Sequence, residues 1–181
     1  MDSRGVLSYN ELHELVDQGV IRNIERSQIN GASINIRLGS EFIVEEEPAD
    51  TESVLYFSQR MRFKSAVRYG GVTLAPGAVA LAASIETFYL PNNIAAEFKL
   101  RSSSARTFIE HLNAGWCDPG WNGSALTMEL KNMLRFHSIR LREYDSIGQM
   151  VFFRVSPVPE QNSYAAVGRY NNDTSVTGVK P

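Results

Sequence analysis

The segment Arg101-Ser102-Ser103-Ser104-Ala105-Arg106 sets three hydroxyls between two guanidiniums, where a strand pattern gives way to a short helical turn. Free backbone N–H groups at a helix start, hydroxyls and guanidiniums together form a cradle for phosphate oxygens, each part offsetting the others' desolvation. Standing alone, the same hexamer is also an ordinary helix cap flanked by basic residues. A second cluster, Ala114-Gly115-Trp116-Cys117-Asp118-Pro119-Gly120-Trp121-Asn122-Gly123, is a turn feeding the strand pattern Leu126-Thr127-Met128-Glu129-Leu130. The plain reading of Asp118 beside Pro119-Gly120 is a turn cap, and of the two tryptophans, core. Glu129 fits that plain reading less well, because it stands among apolar residues where a strand buries side chains. A carboxylate there needs a partner, or a setting tuned for general acid/base work near neutrality; the alternative is the solvent face of an edge strand.

Several chemistries are excluded by what the chain lacks. Cys117 is the single cysteine, and with three scattered histidines, His13, His111 and His137, it makes a poor stock of zinc ligands. The H-x-E and P-C-x-x-C elements by which zinc deaminases activate water are both absent. Cys117 itself reads as a small half-buried side chain rather than a nucleophile. The 181 residues are 43% hydrophobic and 21% charged with a formal net charge of −2, so no long-range field draws the chain to nucleic acid or an acidic membrane. An anionic ligand must be held by a local cluster. The first residues, Met1 to Gly5, are polar, and no apolar run approaches the ~20 residues of a membrane span. A cytoplasmic protein with no nucleic-acid or membrane partner is expected.

The elements that must position these clusters are mainly β. Ser8 and Glu11 form an S-x-x-E capping box with Leu7 and Leu12 as a hydrophobic staple, predicting a short N-terminal helix with Leu12, Leu15 and Val16 inward and Gly19 at its end. Ala32, Ile34, Ile36 and Leu38 then alternate with polar residues as a half-buried strand does, and Phe42, Ile43 and Val44 extend it. Glu45 to Asp50 reads as a solvated acidic loop. The alternating Arg60, Arg62, Lys64 and Arg68, with Met61 and Phe63 between, reads as a solvated strand or loop near it. From Val54 to Phe153, short β-prone segments separated by Gly and Pro turns predict a sandwich or barrel. One internal helix is expected over Ser104–Leu112, capped by Ser103 or Ser104. After Pro157 the chain turns polar, and Gly168 to Pro181 reads as a tail that is mobile or folds over a ligand.

On these motifs the sequence resembles the dCTP deaminase branch of the trimeric dUTPase superfamily. The resemblance is carried by Gly31-Ala32-Ser33-Ile34-Asn35-Ile36-Arg37-Leu38-Gly39, by Leu74-Ala75-Pro76-Gly77 with Leu81-Ala82 and Glu86, and by Leu90-Pro91 leading into Arg101 to Arg106. It continues through Asp118, Glu129, Ile147-Gly148-Gln149 and Gly168-Arg169-Tyr170, and an ordered series is far more specific than any one motif. It implies a distorted β-barrel or jelly-roll domain over 1–167 with a 168–181 tail closing over the active site. It further implies a homotrimer with sites between subunits, acting on dCTP or a related deoxycytidine nucleotide with Mg²⁺ bound to the triphosphate and no zinc.

By the same resemblance Glu129 is the proton shuttle for water attacking cytosine C4. Ser102, Arg106 and the carbonyl of Ala114 would hold water and base in line. Asp118 would receive the 3′-hydroxyl, and backbone at Thr127 and Met128 would read the base. Arg101, Ser103, Ser104, Ala105, Gln149, Tyr164 and Arg169 would contact the nucleotide, chiefly its phosphates. Ala114-Gly115-Trp116-Cys117-Asp118 matches the members that continue from dUTP to dUMP and pyrophosphate, where Gly115 would let backbone approach the substrate and leave room for a second water. Hydrolysis of dUTP alone and a catalytically silent nucleotide-binding relative are the alternatives. The chain departs from the family pattern at three points. Asn35 stands for the usual Asp; Asp173 sets negative charge near phosphate unless Mg²⁺ or Lys180 compensates; and Asp118 and Glu129 are one position farther apart, which predicts a bulge or register change.

Overall fold

The computed structural model describes residues 5–48, 54–57, 60 and 63–180. Met1 to Arg4, Ala49 and Asp50 of the acidic run, Met61 and Arg62 of the basic stretch, and Pro181 lie outside the described residues. Chain order begins with β1 (Gly5–Val6), α1 (Tyr9–Asp17), β2 (Ile21–Arg22) and β3 (Ile34–Glu45). It continues through β4 (Ser65–Tyr69), β5 (Gly71–Leu74), β6 (Val79–Tyr89), β7 (Ile94–Leu100) and α2 (Ser102–Ala105). The remaining elements are β8 (Ile109–His111), β9 (Trp116–Cys117), β10 (Asn122–Asn132), β11 (Ile139–Arg142), β12 (Ser146–Arg154) and α3 (Tyr164–Val167).

The strand alternation read from the sequence is realised in β3, where Ile34, Ile36 and Leu38 are wholly buried while Asn35 and Arg37 between them are half-buried. β3 is central to a curled antiparallel half-barrel whose path runs β8-β10-β6-β3-β12-β7-β9, with β1 on β12, β2 on β6 and β4 on β3. β5 and β11 form a separate pair. Phe42, Phe88 and Phe152, each with no exposed surface, fill the interior of the curl. The predicted capping box starts α1: Ser8 N and Oγ both donate to Glu11 Oε2, at 2.9 and 2.8 Å, and Leu7, Leu12 and Leu15 are buried beneath it. Gly19, at φ +72°, lets the chain turn out of the helix into β2. The acidic run is tied down where it is described, with Glu46 paired to Arg68 at 3.1 Å.

The helix expected over Ser104–Leu112 is corrected. Only Ser102–Ala105 is helical, its N-cap is Arg101 rather than a serine, and the chain then enters β8. Pairing Ile109, Glu110 and His111 against Asn132, Lys131 and Leu130 of β10 buries Ile109 and His111, which outweighs local helix preference. Phe108 marks the switch with φ +60°. A second internal helix, α3, was not foreseen.

Beside β3 the structure buries a charge. Glu86 has no exposed surface; its Oε1 accepts from Arg37 Nε and Gln28 Nε2, each at 2.8 Å, and its Oε2 accepts from Arg37 N at 3.0 Å. Arg37 also reaches Glu25 at 2.9 Å and Asn23 O at 2.6 Å. Asn35, next to this cluster, accepts from Asn30 Nδ2 at 3.0 Å, a neutral pairing for which its amide needs no charge.

Candidate functional site

The turn after β9 and the first half of β10 form one wall of a cavity of about 900 Å³. Into it come Ala114, Asp118, Thr127, Glu129 and Tyr164 from the residues singled out in the sequence. Two register breaks in the β6–β10 ladder shape this wall. Between Asn122 and Ser124 the extra residue is Gly123, at φ +68°, and between Ala125 and Thr127 the slack lies on β6, where Ser84 Oγ accepts from Leu126 N at 2.8 Å. The bulge predicted from the Asp118–Glu129 spacing is therefore present, and it sets the direction in which Glu129 points.

Glu129 is neither on an edge strand nor turned to bulk solvent: β10 lies between β6 and β8, and the side chain is 28% exposed, at the cavity. Its Oε2 lies 3.2 Å from Nε2 of His111 without hydrogen-bond alignment, and neither atom has another hydrogen-bond partner. His111 is buried and held edge-on against Phe98 with ring centroids 4.9 Å apart. In the sequence His111 was one of three histidines without a role. No local signal marks it, since it meets Glu129 only through the pairing of β8 with β10.

Trp116 and Trp121 part company. Trp121 is core, stacked on Phe88 at 5.4 Å, with Nε1 donating to Tyr170 O at 2.9 Å. Trp116 is 56% exposed at the cavity, and its Nε1 donates to Asp118 Oδ1 at 2.9 Å, so the expectation of two core tryptophans holds for one. Gly115 also has a cause that the sequence does not show. A Cβ there would stand 2.5 Å from the carbonyl oxygen of Phe98, so Gly is needed for β9 to approach β7.

Arg101, Ser102, Ser103, Ser104, Ala105 and Arg106 do not line this cavity; α2 precedes β8, with Ser102, Ser103 and Arg106 exposed and Ser104 half-buried. Gln149 is also elsewhere, accepting from Ser33 Oγ at 3.0 Å on β12. Met128 is fully buried and does not line the cavity, and β8 pairs no farther along β10 than Leu130. Arg169 is exposed outside the cavity, its carbonyl accepting from Lys180 Nζ at 3.2 Å.

The tail after Gly168 lies along the start of β10. Tyr170 O accepts from Ser124 Oγ at 2.9 Å, Asp173 O from Ala125 N at 2.8 Å, and Thr127 Oγ1 from Thr177 N at 3.3 Å. Asp173 is compensated by Lys180, whose Nζ lies 2.7 Å from both carboxylate oxygens. Tyr164 Oη accepts from Tyr170 N at 3.2 Å, and burial pushes its phenol above the ordinary tyrosine range, keeping it protonated. The sequence set Asp173 near phosphate and the 168–181 tail over the site, and Asp173, Thr177, Gly178 and Val179 do line the cavity; it did not single out Leu55, Tyr56 and Phe57, which line it too.

Cys117 is buried in the lining of the cavity, and burial, reinforced by the Asp118 charge, pushes its thiol up to about 12. At about pH 7.5 fewer than ~1 in 10⁴ such thiols are ionised. Iodoacetamide is expected to leave the folded chain unlabelled over hours and to label it fully in guanidinium, read by intact mass. Labelling at a free-thiol rate in the folded state would contradict this environment.

Among the described residues no group of three or more His, Cys, Asp and Glu side chains converges as a metal site, and no helix is long and apolar enough to cross a membrane. The chain matches the family model described as dCTP deaminase-like over residues 6–155. It is 30% identical over 191 residues to a protein of Nanoarchaeum equitans named dCTP deaminase, dUMP-forming, covering 95% of each chain. A protein of the same name from Methanoculleus marisnigri is 30% identical over 176 residues, covering 92% of this chain and 90% of that one. In structure, the chain is similar to 2′-deoxycytidine 5′-triphosphate deaminase from Agrobacterium tumefaciens, with a TM-score of 0.66 and 22% identity over 83% of this chain, and it spans about half (48%) of that longer chain. With the match running from β1 through β12, this protein belongs to the dCTP deaminase-like family.

Proposed function

We propose that this chain deaminates dCTP at cytosine C4 and continues to dUMP, releasing ammonia and pyrophosphate. The observation that carries the reading is the half-buried carboxylate of Glu129 at a nucleotide-sized cavity that also holds Asp118, Thr127 and the Ala114 backbone. Water is a poor nucleophile at neutral pH unless a base takes its proton as it attacks. Glu129 takes that proton, passes it to N3 of the base, and delivers the second to the departing amine. The carbonyl of Ala114 orients the water, and backbone at Thr127 and Met128 reads the base edge.

Ser102 and Arg106 complete this arrangement from another copy of the chain, because within one chain they lie apart from the cavity. We therefore read the active form as a homotrimer with sites between subunits. Arg101, Ser103, Ser104, Ala105 and Gln149 of one copy, with Tyr164 and Arg169 of the next, take the phosphates. Mg²⁺ would come bound to the triphosphate and moderate its charge, while Asp173 is already paired with Lys180. The 168–181 tail acts as the roof of the site, and the enzyme works in the cytoplasm. The name dCTP deaminase, dUMP-forming, borne by the Nanoarchaeum equitans and Methanoculleus marisnigri relatives over nearly their full length, supports the dUMP-forming reading over dUTP hydrolysis alone.

The test is incubation with dCTP and Mg²⁺, following ammonia, dUTP, dUMP and pyrophosphate separately. Ammonia, dUMP and pyrophosphate in equal amounts are expected, with little free dUTP. Accumulated dUTP without pyrophosphate removes the second step. Cleavage of added dUTP with dCTP untouched replaces the reading by dUTP hydrolysis.

A further inference from the structure

Asp118 carries a carboxylate on the cavity wall, and no ion pair engages it among the described residues. A carboxylate accepts hydrogen bonds and cannot donate them, and beside a polyphosphate it would be repelled. It therefore suits a hydroxyl donor of the ligand. A carboxylate free to rotate loses orientation and rotamer entropy on binding such a donor, and a fixed one loses less. Here one oxygen is already fixed by Trp116 Nε1 at 2.9 Å. The indole is itself held: Trp116 pairs with Glu97 in the β7–β9 ladder and lies 5.8 Å from the Phe153 ring. Gly115, pressed against Phe98 O, fixes the backbone just before it.

We infer that Trp116 is a positioning residue for ligand recognition: its indole N–H holds Asp118 Oδ1 so that the remaining oxygen meets a sugar hydroxyl of the nucleotide. This rests on the reading of the cavity as a deoxynucleotide site and deepens it. The motif aromatic at this position then contributes through one N–H donor, beyond the apolar surface its ring presents. Phe in its place keeps the ring and loses the donor.

The test compares wild type and Trp116→Phe on dCTP and on 2′,3′-dideoxycytidine triphosphate, which lacks the 3′-hydroxyl. For dCTP, kcat/KM is expected to fall about tenfold, carried by KM, the usual size for loss of a hydrogen bond to a charged group. For the dideoxy substrate the same substitution is expected to cost less than about twofold. Trp116→His, which can restore an N–H donor, is expected to recover part of the loss on dCTP only. An equal fall on both substrates assigns Trp116 a general structural part and overturns the inference, as does no fall on either. A wild-type chain that neither binds nor turns over dCTP overturns the functional reading and this inference together; turnover with an unchanged Trp116→Phe overturns the inference alone.

Discussion

Glu129→Gln is expected to lower kcat for ammonia release from dCTP by about 10²–10⁴-fold, the range for removing a general acid/base. The substitution preserves shape and leaves the β10 backbone bond from Leu112 N to Glu129 O at 3.1 Å intact. An amide cannot take a proton from water at neutral pH, so the attacking water stays a weak nucleophile. Because the side chain is 28% exposed and its ion-pairing neighbour among the described residues is His111, the cost in stability should be slight. Binding of dCTP, measured by calorimetry on the assembled protein, is expected to change only a few fold. Added dUTP provides the internal control, since its cleavage needs no proton shuttle to the base. Ammonia release within about threefold of wild type would remove Glu129 from the chemistry.

The largest effect on stability is expected at Glu86. Glu86→Ala strips the acceptor from Arg37 Nε, Arg37 N and Gln28 Nε2 in one step and leaves these donors around a buried hole, with the guanidinium, 15% exposed, held only by Glu25 and Asn23 O among the described residues. Removing one partner of a buried ion pair costs about 3–5 kcal/mol. At this chain length that corresponds to a fall in Tm of about 6–20 °C. Glu86→Gln retains one acceptor and the side-chain volume and should lie between. Thermal and urea unfolding at matched protein concentration check this, because assembly makes apparent stability concentration-dependent. A loss below about 1 kcal/mol would mean that water enters and solvates Arg37. The pair contributes little through Coulomb attraction alone; its removal is costly because three buried donors lose their acceptor at once, and Glu25 and Asn23 O do not replace it.

These two acidic residues show how unevenly a sequence reveals its site. Glu129 was conspicuous because a charge among Leu126, Met128 and Leu130 breaks the apolar pattern of a strand. Glu86 entered only as a landmark of the resemblance, and its burial follows from the meeting of β6 with β3, together with Gln28. The bulge before Glu129 was legible as a spacing anomaly, but the slack at its second break sits on β6, which spacing along β10 cannot reveal. The helix expected over Ser104–Leu112 failed for the same reason: its apolar residues satisfied a helical period equally well, and pairing with Leu130–Asn132 chose the strand.

By itself, the sequence determined what depends on neighbours a few residues away. These are the Ser8–Glu11 cap, the alternation of β3, the β-rich class, and the ordered landmarks that mark the family. Tertiary structure alone decided which side chains share one space. His111 comes to Glu129, Trp116 takes hold of Asp118, the tail lies along β10, and the Arg101–Arg106 cradle stays apart from all of them. Capping and alternation are settled by contacts within a turn or a pleat, whereas these meetings depend on the register of strands far apart in the chain, and a slip of one residue would turn each side chain to the opposite face.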